Sequence, residues 1–335
     1  MNATRRLLVH VGILVVAAAG AGYVWTRDKN PKSTVVADVT VWSGKAADVE
    51  KVSFDAKSRK IRLEAKKDGA GRWYEGSVDK QAPAPVGDAG APEAKPASVL
   101  VISVKAAQRI AEALAPLKAV RELGKIGAER AEEFGLKEPE GTLTVVVAGQ
   151  EHTLVVGANA PGGTDRYVKD PATQIVYAVQ GEFLRDLLAG ETVLNERELH
   201  GFEEDEIEKV RITSGGKSRE ILRAGVGGRG WADPGTPDKQ DETVGTWMSK
   251  VDRLRPSEYV AVLPGAPEGA LLVRVEYVGK KGPIGFLEVL KFAAPTADDS
   301  RKTEWFLRTE RTRRYAKVFA SSGEQLEQDV NSVVR

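Results

Sequence analysis

The fold of this chain is decided by a stretch of sequence that occurs twice, first as DVEKVSFDAKSRKI at residues 48–61 and again as EIEKVRITSGGKSREI at residues 206–221. The two copies begin 158 residues apart (48 to 206), and a tryptophan follows each copy at the same separation (73 to 231). Blocks that recur in one order at a nearly constant separation indicate an internal repeat. In both copies a turn is expected in the middle of the stretch, so each copy predicts a β-hairpin.

Both copies continue with the same order of predicted elements. Apolar residues at helical spacing predict one helix in each copy, at Lys105–Leu117 and at Glu242–Leu254. Two strand pairs and a closing helix follow in each copy. In the first copy they are Thr142–Val147 with His152–Val156, Arg166–Lys169 with Ile175–Val179, and the helix Gly181–Leu188. In the second copy they are Leu271–Val278 with Gly285–Phe292, Glu304–Arg308 with Tyr315–Phe319, and the helix Gly323–Val334. The predicted fold is therefore α+β: a tandemly duplicated, mainly antiparallel β-meander module with a few packing helices, its first repeat at 38–195 and its second at 196–335.

An apolar segment without charged residues, Leu7–Trp25, precedes the repeats. As a helix its 19 residues extend about 28 Å, close to the hydrocarbon thickness of a bilayer. We therefore expect a short cytoplasmic tail at 1–6, a single transmembrane helix at 7–25 and a linker at 26–37. The small residues at 17–21 leave a cleaved signal peptide as the alternative. The short tail and the long folded remainder favour an orientation with the bulk of the chain outside the cytoplasm.

One segment departs from the duplication. Residues 81–98 read QAPAPVGDAGAPEAKPAS, with four prolines among small residues. Such a composition does not form a packed core element, so a flexible loop is expected between the strand of Trp73 and the first helix. A tolerated insertion and a partner-binding arm are the two interpretations of this loop.

Several segments of the chain resemble the bacterial family DUF4340, a domain of unknown function. They are FGLKEP at 134–139, LTVVVAG at 143–149, TLVVGANAP at 153–161, and NERELHGF at 195–202 followed by Asp205–Val210. The resemblance implies an α+β fold, and in many relatives one N-terminal helix anchors the protein. Some relatives resemble accessory extracytoplasmic components of ABC transporters, including those linked to gliding. The resemblance therefore implies a single-pass protein of the bacterial inner membrane, largely periplasmic, and it names no catalytic residue.

Composition excludes several functional classes. Lys and Arg number 49 and Asp and Glu 48, which leaves a net charge of +1. A general nucleic-acid binder usually carries a large basic excess, so we expect no nucleic-acid partner. The chain has no cysteine, which excludes disulfides, thiolate metal sites and cysteine nucleophiles.

Two glycine-rich runs imitate nucleotide-binding motifs. Gly225–Gly230 satisfies G-x-G-x-x-G, but Trp231 and an acidic loop follow it, where a dinucleotide fold would begin a helix. Ser214–Ser218 resembles the end of a P-loop, but the required earlier glycine is replaced by Arg211. Hairpin turns explain both runs, so no cofactor is predicted.

The acidic runs and the histidines also carry no catalytic or metal-binding motif. Residues 203–206 and 132–133 lack the alternating spacing of a calcium loop, and a solvated acidic run explains them. His152 and His200 belong to no metal or triad pattern, although partners distant in sequence remain possible. No catalytic, cofactor-binding or metal-binding residue is predicted.

The densest cluster of cations is expected at a hairpin tip and its flanks. It consists of Arg308, Arg311, Arg313, Arg314 and Lys317. A solvated tip is one interpretation of this cluster. Contact with acidic headgroups or with an acidic partner is the other.

The leading functional hypothesis is a non-enzymatic binding or scaffold protein that residues 7–25 hold in the cytoplasmic membrane. It would bind a protein partner and serve as an accessory to an ABC transporter or an envelope assembly. The alternative is an envelope enzyme, or a glycan- or peptide-binding protein, with its site in a cleft between the two repeats. A deep cleft with convergent charges would favour the alternative, and flat faces would favour the scaffold.

Overall fold

The repeated stretch forms a β-hairpin in each half of the chain in the computed structural model, which describes residues 39–80, 97–225, 228, 230–263, 270–295 and 301–334. In the second hairpin Ser214 pairs with Lys217 across a turn in which Gly215 and Gly216 have φ of 56° and 79°. Glycine adopts such positive φ values without strain. The segment that resembles a P-loop is therefore a hairpin turn, as predicted.

The strands of the first half form one ten-stranded sheet. In chain order they are β1 Val39–Trp42, β2 Val49–Ala56, β3 Arg59–Asp68, β4 Gly71–Lys80, β5 Ala97–Ser103, β6 Leu117–Lys125, β7 Gly141–Val147, β8 Gln150–Asn159, β9 Arg166–Lys169 and β10 Ile175–Val179. Their order across the sheet is β1-β6-β10-β9-β8-β7-β2-β3-β4-β5. Neighbouring strands from β6 through β5 pair antiparallel.

The strands of the second half form a seven-stranded antiparallel sheet. They are β11 Lys209–Ser214, β12 Lys217–Ala224, β13 Gly230–Ala232, β14 Leu271–Gly279, β15 Gly282–Pro295, β16 Arg301–Thr309 and β17 Ala316–Val318. From one edge to the other they run β17-β16-β15-β14-β11-β12-β13, which is the order of β10-β9-β8-β7-β2-β3-β4 in the first sheet. Trp73 on β4 and Trp231 on β13 therefore occupy corresponding strands, as do Lys51 on β2 and Lys209 on β11.

A few helices cover one face of each sheet, and the fold is α+β and rich in antiparallel β-sheet. The helices are α1 Lys105–Leu114, α2 Glu182–Ala189, α3 Glu191–Leu194, α4 Glu242–Asp252 and α5 Ala320–Val333. In the second half, Trp247 of α4 and Leu326 of α5 are fully buried in the core beside Trp305. A Cβ atom at Gly323 would overlap the Trp305 ring, so only glycine lets α5 approach the sheet this closely.

The largest differences from the sequence prediction lie at the first helix and in the segment before it. The first helix ends at Leu114, because Pro116 disfavours helical backbone at Ala115, and Leu117 begins β6 instead of ending the helix. Strand β5 was not predicted, and its first residues, Ala97 and Ser98, had been placed in the flexible loop; they pair with Lys80 and Asp79 of β4. The remainder of the predicted loop, 81–96, lies outside the described residues.

The predicted anchor cannot be compared with the structure. The tail at 1–6, the transmembrane helix at 7–25 and the linker at 26–37 lie outside the described residues, as do residues 226, 227 and 229 of the glycine-rich run. Within the part of the chain that the structure describes, no helix has the length and apolar character needed to cross a bilayer.

Both sheets belong to one compact unit, Thr40–Arg335. One tyrosine bridges their edges. Tyr259 forms an isolated β-bridge with Leu100 on β5, the edge of the ten-stranded sheet, and another with Ala316 on β17, the edge of the seven-stranded sheet. Its side chain is buried, and Ile102 and Trp73 belong to the same apolar cluster. Both sheet edges are therefore occupied at the junction of the two halves, which leaves neither open for pairing with another chain there.

Candidate functional site: a polar cleft at the junction

A cleft of about 680 Å³ opens beside this junction. Its walls come from Lys105 at the start of α1, from residues 197–204, from Asp252 and Arg255 at the end of α4, and from Arg311 in the turn between β16 and β17. We call it the junction cleft, and we call residues 195–204 the connecting segment. Its volume lies within the range of small-ligand sites, and most of its lining side chains are charged.

Glu196 holds the connecting segment in place. Its carboxylate is 5 % exposed and accepts hydrogen bonds from the backbone N–H groups of Arg197 and Glu198, both at 3.0 Å. The Arg311 guanidinium donates to the same carboxylate at 3.0 Å and lies 3.3 Å from that of Glu198. A buried carboxylate is tolerated when such donors surround it, so Glu196 and Arg311 stabilise each other across the junction.

His200 and Glu310 form a hydrogen-bonded pair at the base of the connecting segment. The Nδ1 atom of His200 lies 3.1 and 3.2 Å from the two carboxylate oxygens of Glu310. The backbone N–H groups of Gly201 and Phe286 donate to the same carboxylate at 3.2 and 3.1 Å. Because an ionised carboxylate accepts only, Nδ1 carries the proton, and in the neutral ring Nε2 presents a lone pair.

Gly285 makes room for this pair. A Cβ atom at Gly285 would lie 2.5 Å from an Oε atom of Glu310 and 2.6 Å from the ring of Phe202. The glycine therefore lets the carboxylate reach His200 from the turn after β16. The sequence by itself gives no sign that position 285 must be glycine, because Phe202 and Glu310 are distant from it along the chain.

Aromatic rings pack around His200. Its ring lies 4.6 Å from that of Phe202, nearly stacked, and 4.5 Å from that of Tyr277 in an edge-on contact. Tyr277 is 1 % exposed, and burial raises the pKa of its hydroxyl well above the usual range, with further contributions from the charges of Asp252 and Glu310. The Tyr277 hydroxyl therefore keeps its proton beside these two carboxylates.

Asp252 is the acidic residue of the cleft with the most perturbed ionisation. Burial of its carboxyl raises its pKa, the neighbouring charge of Glu204 raises it further, and His200, Arg223 and Arg255 partly oppose the shift. The residue as a whole is exposed at the cleft surface, so the rise reflects protein atoms packed close to the carboxyl and not burial of the residue. Perturbed ionisable groups in a cleft are typical of functional sites.

The predicted cationic cluster lies around the turn from β16 to β17, where it pairs with acids. Three of its arginines reach acids of the first half or of the connecting segment. Their pairs are Arg311 with Glu196 and Glu198, Arg313 with Asp68 at 2.9 and 3.1 Å, and Arg314 with Glu75 at 2.9 and 3.3 Å. Arg313 also lies 4.2 Å over the ring of Trp73. The turn of the second half is therefore held to the first half by ion pairs.

The other two members pair within the second half. Arg308 donates to Glu288 at 2.7 and 3.0 Å, and Lys317 lies 3.5 Å from a carboxylate oxygen of Glu304 and 3.7 Å from one of Glu258. Arg314 keeps half of its side chain exposed. Contact of the cluster with acidic headgroups or an acidic partner stays a prediction.

The side chains that line the cleft can form hydrogen bonds and ion pairs with a ligand. Over the described residues, no three His, Asp or Glu side chains converge in a way that would hold a metal ion. The described residues that line the cleft include no serine or threonine. The site therefore provides arginines, carboxylates and one oriented imidazole.

The fold and the cleft define an α+β protein, rich in antiparallel β-sheet, with a charged site where its two halves meet. The chain belongs to the family DUF4340, described as a domain of unknown function, whose family model matches residues 103–270. The matched segment contains Lys105, the connecting segment and Asp252, and thus most of the cleft lining. A search of curated proteins and a search of solved structures each found no match.

Proposed function

We propose that this protein is a non-enzymatic binding protein, anchored in the bacterial inner membrane by residues 7–25 and exposed to the periplasm, that holds its ligand or partner in the junction cleft. The apolar segment at 7–25 supports the anchor. The shared strand order of the two sheets supports a tandem duplication with repeats at 38–195 and 196–335. An accessory role beside an ABC transporter or an envelope assembly is consistent with such an architecture.

The observation that carries the binding function is the convergence of charged side chains from both halves on one cleft. Binding sites in α+β proteins often lie where two modules meet, because neighbouring edges create concave surfaces. Here Lys105 comes from the first half, Asp252, Arg255 and Arg311 come from the second, and the connecting segment forms the wall between them. The cleft favours a specific ligand over a flat scaffold contact.

An envelope enzyme is the second candidate, and the His200–Glu310 pair favours it. A carboxylate that orients an imidazole is the arrangement of a general base. We place binding first because the described lining residues include no serine or threonine hydroxyl for the imidazole to activate. Nor do three His, Asp or Glu side chains converge, among the described residues, to hold a metal ion.

Photo-crosslinking in intact membranes tests the binding function. A photoreactive phenylalanine analogue replaces Lys105, an exposed residue that lines the cleft and pairs with Glu198. The control position is Lys217, another exposed lysine, which lies at the start of β12 and does not line the cleft. We expect an adduct at position 105 that is missing at 217. The same adducts at both positions, or none at 105, would contradict the proposal.

A further inference from the structure

Three buried polar atoms without a protein partner lie in the wall of the junction cleft or beside it. Within the described residues, Nε2 of His200, the hydroxyl of Tyr277 and Nε of Arg311 are buried and make no hydrogen bond to the protein. His200 and Arg311 line the cleft, and the Tyr277 ring packs against that of His200. A buried polar group without a partner costs about 1–3 kcal/mol, so the protein wall behind the cleft is polar and incompletely satisfied.

Charges of both signs also lack ionic partners in this cleft. Arg255 donates to the backbone carbonyls of Asp252 and Leu254, both at 2.6 Å, and Arg197 donates to that of Thr192. In the described structure neither guanidinium lies within salt-bridge distance of a carboxylate, and the Asp252 carboxylate has no cation within that distance. Of the other charged lining residues, Lys105 pairs with Glu198, Glu204 with Arg223, and Arg311 with Glu196. The Glu203 side chain accepts a hydrogen bond from the backbone N–H of Glu206.

The donors and acceptors define the chemistry of the ligand. The Asp252 carboxylate accepts hydrogen bonds, and a group with positive charge supplies both the donors and the opposite charge. The guanidinium groups of Arg197 and Arg255 donate, and carbonyl or carboxylate oxygens accept from them. A neutral glycan would displace water from these charges without neutralising them, which is unfavourable.

We propose that the junction cleft binds a short peptide with a free amino terminus. The ammonium group binds the Asp252 carboxylate, and the peptide carbonyl and carboxylate oxygens bind Arg197 and Arg255. This inference rests on the proposed binding function and adds the ligand class. A volume of about 680 Å³ is large enough for a few residues.

Calorimetric titration of the full-length protein in lipid nanodiscs tests the ligand class. The probes are trialanine with free termini, N-acetyl-trialanine and maltotriose, since trialanine contributes little besides its termini and backbone. We expect trialanine to bind and acetylation to weaken binding about ten- to a hundredfold, the loss of one charge-assisted interaction. The variant Asp252→Asn should weaken trialanine binding by a similar factor.

The matched control is Asp205→Asn. Asp205 is an exposed acid next to Glu204 that does not line the cleft, so its removal changes the net charge equally without touching the site. Trialanine affinity should be unchanged in this variant, and circular dichroism should show both variants folded. An equal effect of the two variants would mean that trialanine senses only the general negative field, which overturns the proposal.

The remaining outcomes separate the ligand class from the binding function. Equal affinity for trialanine and its acetylated form, or no binding of trialanine, overturns the peptide proposal. Binding of maltotriose in place of trialanine overturns it as well but leaves the cleft a binding site. The crosslinking at position 105 judges the binding function independently of these probes.

Discussion

Replacing Arg313 by alanine removes an ion pair, made by a buried arginine, that joins the two halves of the chain. The Arg313 side chain is 9 % exposed and donates two hydrogen bonds to Asp68 at the β3–β4 turn. Its guanidinium also covers the ring of Trp73 at 4.2 Å. The substitution therefore deletes an ion pair and a cation–π contact, and it leaves the Asp68 carboxylate without its guanidinium partner.

The expected loss follows from the exposure of each group. Charge-assisted hydrogen bonds contribute about 1.5–3 kcal/mol when desolvated, while exposed ion pairs contribute about 0.2–1 kcal/mol. Since the arginine is buried and Asp68 is 39 % exposed, a coupling free energy of about 1–2 kcal/mol is expected for this pair. With about 1 kcal/mol for the cation–π contact, Arg313→Ala should lower the free energy of unfolding by about 2–3 kcal/mol and Tm by about 3–5 °C.

A double-mutant cycle measures this coupling. Unfolding of the wild type, Arg313→Ala, Asp68→Ala and the double variant is followed by circular dichroism. The second cycle, Arg314 with Glu75, is a matched control, because it has the same two-bond geometry but its arginine is half exposed. We expect a coupling below about 1 kcal/mol there.

The pH dependence of stability tests whether the ionised Asp68 carboxylate stabilises the fold. The hydrogen bond and charge of Arg313 hold the pKa of Asp68 below its ordinary value, so the pair contributes fully above that value and loses its contribution as pH falls through the lowered pKa. The stability difference between wild type and Asp68→Asn should therefore shrink as pH falls below about 4. A coupling of Arg313 and Asp68 no larger than that of the control cycle would refute the reasoning.

Three further predictions concern the junction and the anchor. Tyr259→Phe removes the buried hydrogen bond that the Tyr259 hydroxyl donates to the Glu196 carbonyl at 2.8 Å, so thermal unfolding should show a Tm about 2–4 °C lower. Tyr277→Phe is the control, because the Tyr277 hydroxyl has no protein partner, and this variant should not lower Tm. Asp252→Asn should raise Tm at pH 7, because ionisation of a carboxyl with a raised pKa destabilises the fold above that pKa, and the gain should vanish near pH 3; a lower Tm at pH 7 would contradict this. Residues 7–25 should keep the full-length protein in the membrane pellet after carbonate extraction, and a soluble form that begins near residue 20–26 would show cleavage instead.

The repeat pattern in the sequence predicted much of the architecture. The strands Arg166–Lys169 and Ile175–Val179 have the predicted bounds, and the fold is α+β with antiparallel sheets. Alternation of apolar residues and turn residues are local properties, so they can be read from a single chain. Strand β5 was missed because it is a short apolar run that directly follows a proline-rich segment.

The candidate site depended on tertiary structure. His200 drew attention in the sequence, but Glu310 lies 110 residues away, and Asp68 lies 245 residues from Arg313. No local pattern specifies such pairs, because they form only once β16 and β17 are placed beside the first half of the chain. The arginines predicted at a hairpin tip are an example: their positions along the sequence identified a cluster of charge, and the packing of the two sheets decided which carboxylates neutralise it. The sequence alone thus indicated an α+β fold with antiparallel strands and the succession of most of its elements along the chain. The order of the strands within each sheet came only from the tertiary structure, and the cleft exists because two sheet edges meet at Tyr259, a contact between residues whose local sequences carry no information about each other.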